Sequence, residues 1–293
     1  MGGLLPAAAA AVAGFLVGAA MVATRFVIEQ TDPASLALLR YVIGFLCLLP
    51  PVLAAERVRF APRDLLPIAL LGIVQFGVLI ALLNYGLQFI SSGQGALIFS
   101  TFPLLTLVIA ALLRYEALTV FKLMGVLLTI LGVGLALGGK LLPSEGGGGS
   151  WIGELAVFGS ALCGAVCSVL YRPYLERYPV LQVSAFAMFA SIVFLAFLAA
   201  AEGIFAGFPQ FTLGGWLAIL FIGVASGGGF YLWLWALRHS TPTRVTVFLA
   251  LSPVTAAALG AILLAERISL LFLLGLACVA LGLWLAHWQL RDA

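Results

Sequence analysis

Charged residues are scarce in this sequence. Asp, Glu, Lys and Arg make up 9% of the 293 residues, whereas a soluble domain contains about 25%. Hydrophobic residues make up 64%, and the mean hydropathy is +1.22. So little charge cannot cover a water-facing surface of this size. The composition therefore excludes a soluble enzyme, a nucleic-acid-binding protein and a disordered chain, and it predicts an all-α polytopic membrane protein.

Cysteine and histidine are also few. The four cysteines lie inside apolar runs, which argues against a disulfide framework: Cys47, Cys163, Cys167 and Cys278. No His, Asp or Glu lies beside Cys163 and Cys167, so we assign no metal to them. His239 and His287 fall near predicted helix ends, and no Ser–His or metal constellation can be assembled at depth. We therefore predict no enzyme activity, no catalytic residue and no cofactor.

The apolar runs are long enough for ten membrane helices. A helix that crosses the hydrocarbon core of about 30 Å needs about 20 apolar residues. The predicted helices cover roughly residues 6–27, 34–54, 65–88, 92–113, 119–138, 152–173, 180–201, 214–237, 242–264 and 268–288. We expect residues 6–27 to be the first membrane helix and not a cleaved signal, because no positively charged region precedes them.

Positive charges are unevenly distributed between the two predicted faces. If the N-terminus is inside, ten Lys and Arg residues fall on the inner face: Arg57, Arg59, Arg63, Arg114, Lys122, Arg172, Arg177, Arg238, Arg244 and Arg291. Three fall on the outer face: Arg25, Lys140 and Arg267. This positive-inside bias predicts a multi-pass protein with cytoplasmic N- and C-termini.

The chain repeats itself with an offset of 150 residues. Matching residues include Gly77 and Gly227, Pro103 and Pro253, Glu116 and Glu266, Gly125 and Gly275, and Gly132 and Gly282. Early in each half the offset is 146, which pairs Pro33 with Pro179. Because five helices per repeat is an odd number, the second repeat must be inverted in the membrane. We predict two inverted five-helix repeats, residues 1–138 and 151–293, joined by a flexible Gly-rich linker at 139–150.

These features together resemble the drug/metabolite transporter superfamily, and within it the ten-helix EamA family. The resemblance rests on the two halves, the mid-helix prolines, Tyr85-Gly86-Leu87 with Trp235-Ala236-Leu237, Glu116 with Glu266, and Arg40 seven residues after Pro33. It implies a secondary transporter of the bacterial inner (plasma) membrane. The overall sequence also resembles the bacterial YddG exporter group, which implies export of aromatic and other amino acids and of methyl viologen.

Inverted repeats are typical of secondary transporters, whose substrate sites lie near the midplane at the repeat interface. We expect export of aromatic and other neutral amino acids, with broad specificity, through a central cavity by alternating access. The alternative is a proton-coupled exporter of other metabolites or cationic drugs, such as nucleosides, sugars or methyl viologen. No Asp or Glu falls in the middle of a span, which favours transport without a proton carrier. We expect a monomer or weak dimer in the bilayer.

The predicted cavity residues are taken from the middle and the mouths of the spans. Pro103 and Pro253 cannot donate to the carbonyls of Phe99 and Leu249. Aromatic residues near the mouths could gate the cavity or stack on a ligand. The full set is Gln75, Tyr85, Phe99, Ser100, Pro103, Tyr171, Ser226, Gly228, Tyr231, Trp235 and Pro253. Trp233 is predicted to point away from the face of Tyr231 and Trp235.

Each of these residues also has an ordinary structural explanation. A proline kink can be satisfied by neighbouring helices, a serine can bond back to its own helix, and Tyr or Trp can anchor a span at the interface. No acidic or basic residue is expected to contact a carboxylate or an ammonium group in the cavity. We therefore expect weak and broad recognition of a zwitterionic substrate by carbonyls, hydroxyls and helix ends.

Overall fold

The computed structural model describes residues 4–56, 58–115, 119–137, 151–207, 209–266 and 268–288. Within these residues the chain forms helices, turns and short connections, and no strand. The predicted linker at 139–150 and Glu116 lie outside the described residues, so the division into repeats at these boundaries stays a prediction.

The described helical segments follow one another as ten rods, which we number α1 to α10. Their bounds are α1, Leu4–Val27; α2, Pro33–Ala54; α3, Pro62–Gly72, Ile73–Val78 and Leu79–Leu87; α4, Ser92–Phe99 and Phe102–Leu112; α5, Val120–Leu137; α6, Ile152–Leu170 and Arg172–Arg177; α7, Val180–Ala201; α8, Leu213–His239; α9, Pro242–Thr246, Val247–Ala250 and Leu251–Leu263; and α10, Leu270–Trp288. Among the described residues, eight rods are long and apolar enough to cross a membrane, and the apolar stretches in α5 and α10 are shorter. The predicted ten-helix, all-α fold of a membrane protein is confirmed.

The rods α5 and α10 pack closely and antiparallel through glycines that the 150-residue offset relates. A Cβ atom on Gly132 would lie 2.6 Å from the carbonyl oxygen of Gly275, and one on Gly282 would lie 2.6 Å from that of Gly125. Small residues allow backbones in a membrane to approach this closely. Each glycine pair therefore joins one half of the chain to the other.

Two carboxylates of the second half cap helices of the first half. Glu202, which follows α7, accepts hydrogen bonds from the backbone nitrogens of Ala34 (2.9 Å) and Ser35 (2.7 Å), at the start of α2. Glu266, which follows α9, accepts from the backbone nitrogen (2.9 Å) and the hydroxyl (2.6 Å) of Ser92, at the start of α4. A negative charge is favourable at a helix N-terminus because its first N–H groups have no partner within the helix.

Three rods depart from regular α-helix in the middle of the bundle. The rod α3 widens into a π-helical segment at Ile73–Val78, and α9 tightens into a 3₁₀ segment at Val247–Ala250. The rod α4 is interrupted between Phe99 and Phe102. The interruptions of α4 and α9 lie just before Pro103 and Pro253, and these prolines lack the N–H that a continuous helix needs. Irregular backbone at this depth is tolerated where it is buried in protein or lines a cavity.

Candidate functional site

A cavity of about 100 Å³ lies in the middle of the bundle, between α1, α2, α3, α4, α8 and α9. A cavity needs roughly 10–15 Å³ of this kind of volume to hold one water molecule, so this cavity is large enough to hold more than one. Most of its wall is apolar, which is usual for a small-molecule site with a few convergent polar groups.

The two halves of the chain supply equivalent positions to this wall. The α3 positions Gln75, Phe76, Leu79, Ile80 and Leu83 line the cavity, and so do the α8 positions 150 residues later: Ala225, Ser226, Gly229, Phe230 and Trp233. Phe99 of α4 and Leu249 of α9 form a further pair at the same offset. The cavity therefore lies between the two halves, and the interrupted segments of α4 and α9 contribute to it.

The remaining wall comes from α1, α2 and Phe102 of α4, and it is not symmetric because the matching positions of the second half do not line the cavity. Arg40 of α2 is 8% exposed, and its side chain lines the cavity. Its Nε donates a hydrogen bond of 2.5 Å to Oγ of Ser226, which in turn donates to the carbonyl of Ile222 at 2.6 Å. The guanidinium also lies 5.6 Å from the ring centre of Tyr41. The expectation that no charged residue faces the cavity is therefore wrong: Arg40 does.

Aromatic rings make up much of the cavity wall. Phe76 contacts Tyr41 and Phe230 edge to face, with ring centres 4.9 Å and 4.2 Å apart. Trp233 lies perpendicular to Phe102, with ring centres 6.0 Å apart. Offset and edge-to-face arrangements of this kind are favourable for aromatic pairs. The cavity therefore offers flat apolar surfaces beside a single positive charge.

Three of the predicted residues, Gln75, Phe99 and Ser226, line this cavity together. Gln75 lies in the π-helical segment of α3, a feature that often marks functional sites. The hydroxyl of Ser226 bonds back to its own helix and also accepts from Arg40. A cavity role for these residues stays a prediction, but the structure does bring them together.

Four other predicted residues are buried next to the cavity without being part of its wall. Ser100 donates to the carbonyl of Leu97 at 2.5 Å, and Pro103 and Pro253 are buried within α4 and α9. The ring of Tyr171 is fully buried behind Phe230, with ring centres 6.3 Å apart. Within the described part of the chain, the Tyr171 hydroxyl has no hydrogen-bond partner.

The last four predicted residues lie away from the cavity. Gly228 is exposed on the outside of α8, and a Cβ atom there would meet nothing within 4 Å. Tyr85 is 39% exposed and packs on Phe89. Tyr231 is half-buried, and Trp235 stacks on the ring of His239 at the end of α8, 4.4 Å between centres.

Sequence reasoning missed Arg40 and Trp233 as cavity residues. The available signal for Arg40 is a lone arginine within a predicted span. Helical periodicity places Trp233 on a different face from Trp235, but it does not indicate which face lines the cavity, and in the structure this is the face of Trp233.

The chain matches known transporters over most of its length. A model of the EamA-like transporter family matches residues 4–138 and again residues 151–288. An uncharacterized transporter of Archaeoglobus fulgidus is 28% identical over 274 residues, which is 92% of this chain and 93% of that protein. A probable terminal-alkyne amino-acid exporter of Streptantibioticus cattleyicolor is 27% identical over 77% of this chain and 74% of its own length.

The fold is also found among solved structures. One, described only as a crystal structure of a protein, superimposes with a TM-score of 0.71 at 21% identity and covers 95% of this chain and 98% of its own. At this identity the similarity shows the fold alone. The two matched segments of the family model fit the two halves that meet at the cavity, and together they leave out little of the chain. The chain belongs to the EamA-like transporter family, within the drug/metabolite transporter superfamily, and is a multi-pass membrane protein.

Proposed function

We propose that this protein is a secondary transporter that exports aromatic and other neutral amino acids with broad specificity, by alternating access. The observation that carries the proposal is the cavity between the two halves, lined at equivalent positions of α3 and α8. A site between inverted repeats can open to either side when one repeat moves against the other. Transport of this kind needs no chemical conversion, so the proposal assigns no enzyme activity.

Amino acids are supported as substrates by two independent features. A relative is named as a probable exporter of an amino acid, although its identity to this chain is only 27%. The cavity presents aromatic rings such as Phe230 and Trp233 beside the guanidinium of Arg40. The narrower resemblance to the YddG group is part of this proposal. The positive charge of Arg40 in the wall makes the alternative of cationic drugs less favourable.

The orientation and the energy source are proposed on the same basis. The excess of Lys and Arg on one predicted face supports cytoplasmic termini in the bacterial inner membrane. Among the residues that line the cavity in the described structure there is no Asp, Glu or His, which are the usual proton carriers within membranes. We therefore propose facilitated diffusion or exchange by a monomer or weak dimer, without proton coupling.

Uptake into liposomes that contain the purified protein tests this proposal. Labelled phenylalanine, methionine and threonine should equilibrate across the membrane at rates above protein-free liposomes, with or without a pH gradient. Accumulation driven by a pH gradient alone would contradict the uncoupled mechanism. Failure with every amino acid, while a nucleoside, a sugar or methyl viologen is taken up, would refute the proposed substrate and favour the alternative class.

A further inference from the structure

Arg40 is an unusual residue for its position. It is the eighth residue of α2, about 11 Å along the helix at 1.5 Å per residue, and it is 8% exposed. Charged side chains within membrane spans are rare, and they usually pair with another charge or serve a ligand. The surroundings of the guanidinium therefore show which of these two roles applies.

No carboxylate of the described residues forms an ion pair with this guanidinium. The ion pairs among the described residues all lie elsewhere: Arg25 with Glu29, Arg63 and Arg177 with Asp64, and Arg172 with Glu176. Among the described residues, Nε of Arg40 donates its hydrogen bond to Ser226, and Nη1 and Nη2 form no hydrogen bond. A buried charge without a partner is strongly unfavourable. A structural arginine would be expected to have its partner within the protein.

The free side of the guanidinium suits a carboxylate. Guanidinium has five N–H donors in one plane, and Ser226 uses only the one on Nε. The two Nη atoms can therefore bind both oxygens of a carboxylate with two parallel hydrogen bonds. Ser226 is a positioning residue in this arrangement, because its bond to Nε fixes the plane of the guanidinium against α8.

We propose that Arg40 binds the carboxylate of the transported molecule, so that the cavity selects for a carboxylate attached to an apolar or aromatic group. Phe76, Phe230 and Trp233 supply the apolar surface for that group. Because no acidic side chain lines the cavity in the described residues, a ligand with an ammonium group and no carboxylate has no charged partner. This inference rests on the proposed transport function, which it extends from a substrate class to the group that is recognised.

A series of phenylalanine analogues tests the inference in the unmodified protein. The competitors of labelled phenylalanine uptake are 3-phenylpropionate, which has the carboxylate alone, and L-phenylalaninamide and phenethylamine, which lack it. We expect 3-phenylpropionate to compete at least tenfold better than the two cations, because it alone pairs with Arg40. Equal competition by L-phenylalaninamide and unlabelled phenylalanine would overturn the proposal. Competition by chloride alone would assign the guanidinium to an inorganic anion and would also overturn it.

Substitutions of Arg40 give the second test. In R40Q the KM for phenylalanine should rise about 10- to 100-fold, the size expected for the loss of charge-assisted hydrogen bonds. R40K should fall between R40Q and the original protein, because an ammonium group cannot make the bidentate contact. The matched control is R25Q, since Arg25 pairs with exposed Glu29 at the end of α1, away from the cavity, and should leave KM unchanged.

Binding in detergent separates this inference from the proposed function. If no amino acid is transported, but 3-phenylpropionate still raises the Tm of the purified protein and not that of R40Q, the transport proposal fails while the carboxylate site stands. If amino acids are transported and R40Q retains the original KM, the carboxylate site fails while the transport proposal stands. Should R40Q not fold, the analogue series in the unmodified protein decides.

Discussion

Three consecutive glycines in α8 have three different surroundings, so that alanine should have a different effect at each. Gly227 packs against α2, where a Cβ atom would lie 2.6 Å from the carbonyl oxygen of Gly44. Gly228 points away from the bundle, and a Cβ atom there would have no neighbour within 4 Å. Gly229 lines the cavity, where a Cβ atom would lie 3.4 Å from Cδ1 of Leu16.

The first substitution, Gly227→Ala, should destabilise the protein. Ordinary van der Waals contact begins at 3.4 Å, so α2 and α8 would have to separate by about 0.8 Å. That shift would also disturb the hydrogen bond from Arg40 to Ser226, which joins the same two helices. Overpacking of this kind costs about 1–3 kcal/mol, which corresponds to a fall in Tm of roughly 2–12 °C for a large domain. Transport should be impaired as well.

The other two substitutions serve as matched comparisons on the same turn of helix. Gly228→Ala should leave Tm unchanged or raise it, since alanine is favoured over glycine in a helix by up to about 1 kcal/mol, and transport should be unaffected. Gly229→Ala should keep Tm near the original value and raise KM, because its methyl group enters the cavity. The measurements are Tm in detergent and initial uptake rates in proteoliposomes. Equal effects of Gly227→Ala and Gly228→Ala on both would refute the packing argument.

Two further substitutions test contacts between the halves. Glu202→Gln should lower stability by about 1–2 kcal/mol, because the start of α2 loses a charged cap. The control is Glu29→Gln, since Glu29 is exposed. Equal Tm values for the two variants would contradict the capping role. Gly132→Ala should also lower stability by about 1–2 kcal/mol, because its Cβ atom would lie 2.6 Å from the carbonyl oxygen of Gly275. The control is Gly134→Ala, whose Cβ atom would have no neighbour within 4 Å and which should leave Tm unchanged. A change in oligomeric state with Tm unchanged in Gly132→Ala, seen by size-exclusion chromatography, would instead place this glycine at a subunit interface.

The sequence predicts the helices well because long apolar runs and their interruptions depend on local composition. The interruptions of α4 and α9 lie just before Pro103 and Pro253, which lack the N–H that would bond to the carbonyl four residues earlier. Proline alone does not decide the outcome, because Pro50, Pro51 and Pro67 lie inside uninterrupted helices. The π-helical segment at Ile73–Val78 has no comparable signal in the sequence, although the α3 positions that line the cavity match those of the regular helix α8 at the offset of 150. The inward face of α8 likewise depends on its contact with α2 at Gly44, a tertiary contact that periodicity alone does not reveal.

The positive charge of the cavity shows why symmetry of the chain does not imply symmetry of the site. The α8 counterpart of Phe76 is Ser226, and this smaller polar side chain gives Arg40 both room and a hydrogen-bond partner. The counterpart of Arg40 in α7, at the offset of 146, is Phe186, which packs on Phe60 instead. Arg40 of the first half therefore supplies the positive charge, and Ser226 of the second half accepts its hydrogen bond. Both halves supply aromatic residues to the cavity wall. A ligand held by Arg40 contacts both halves at once, as a substrate must if its binding is to influence how the halves move.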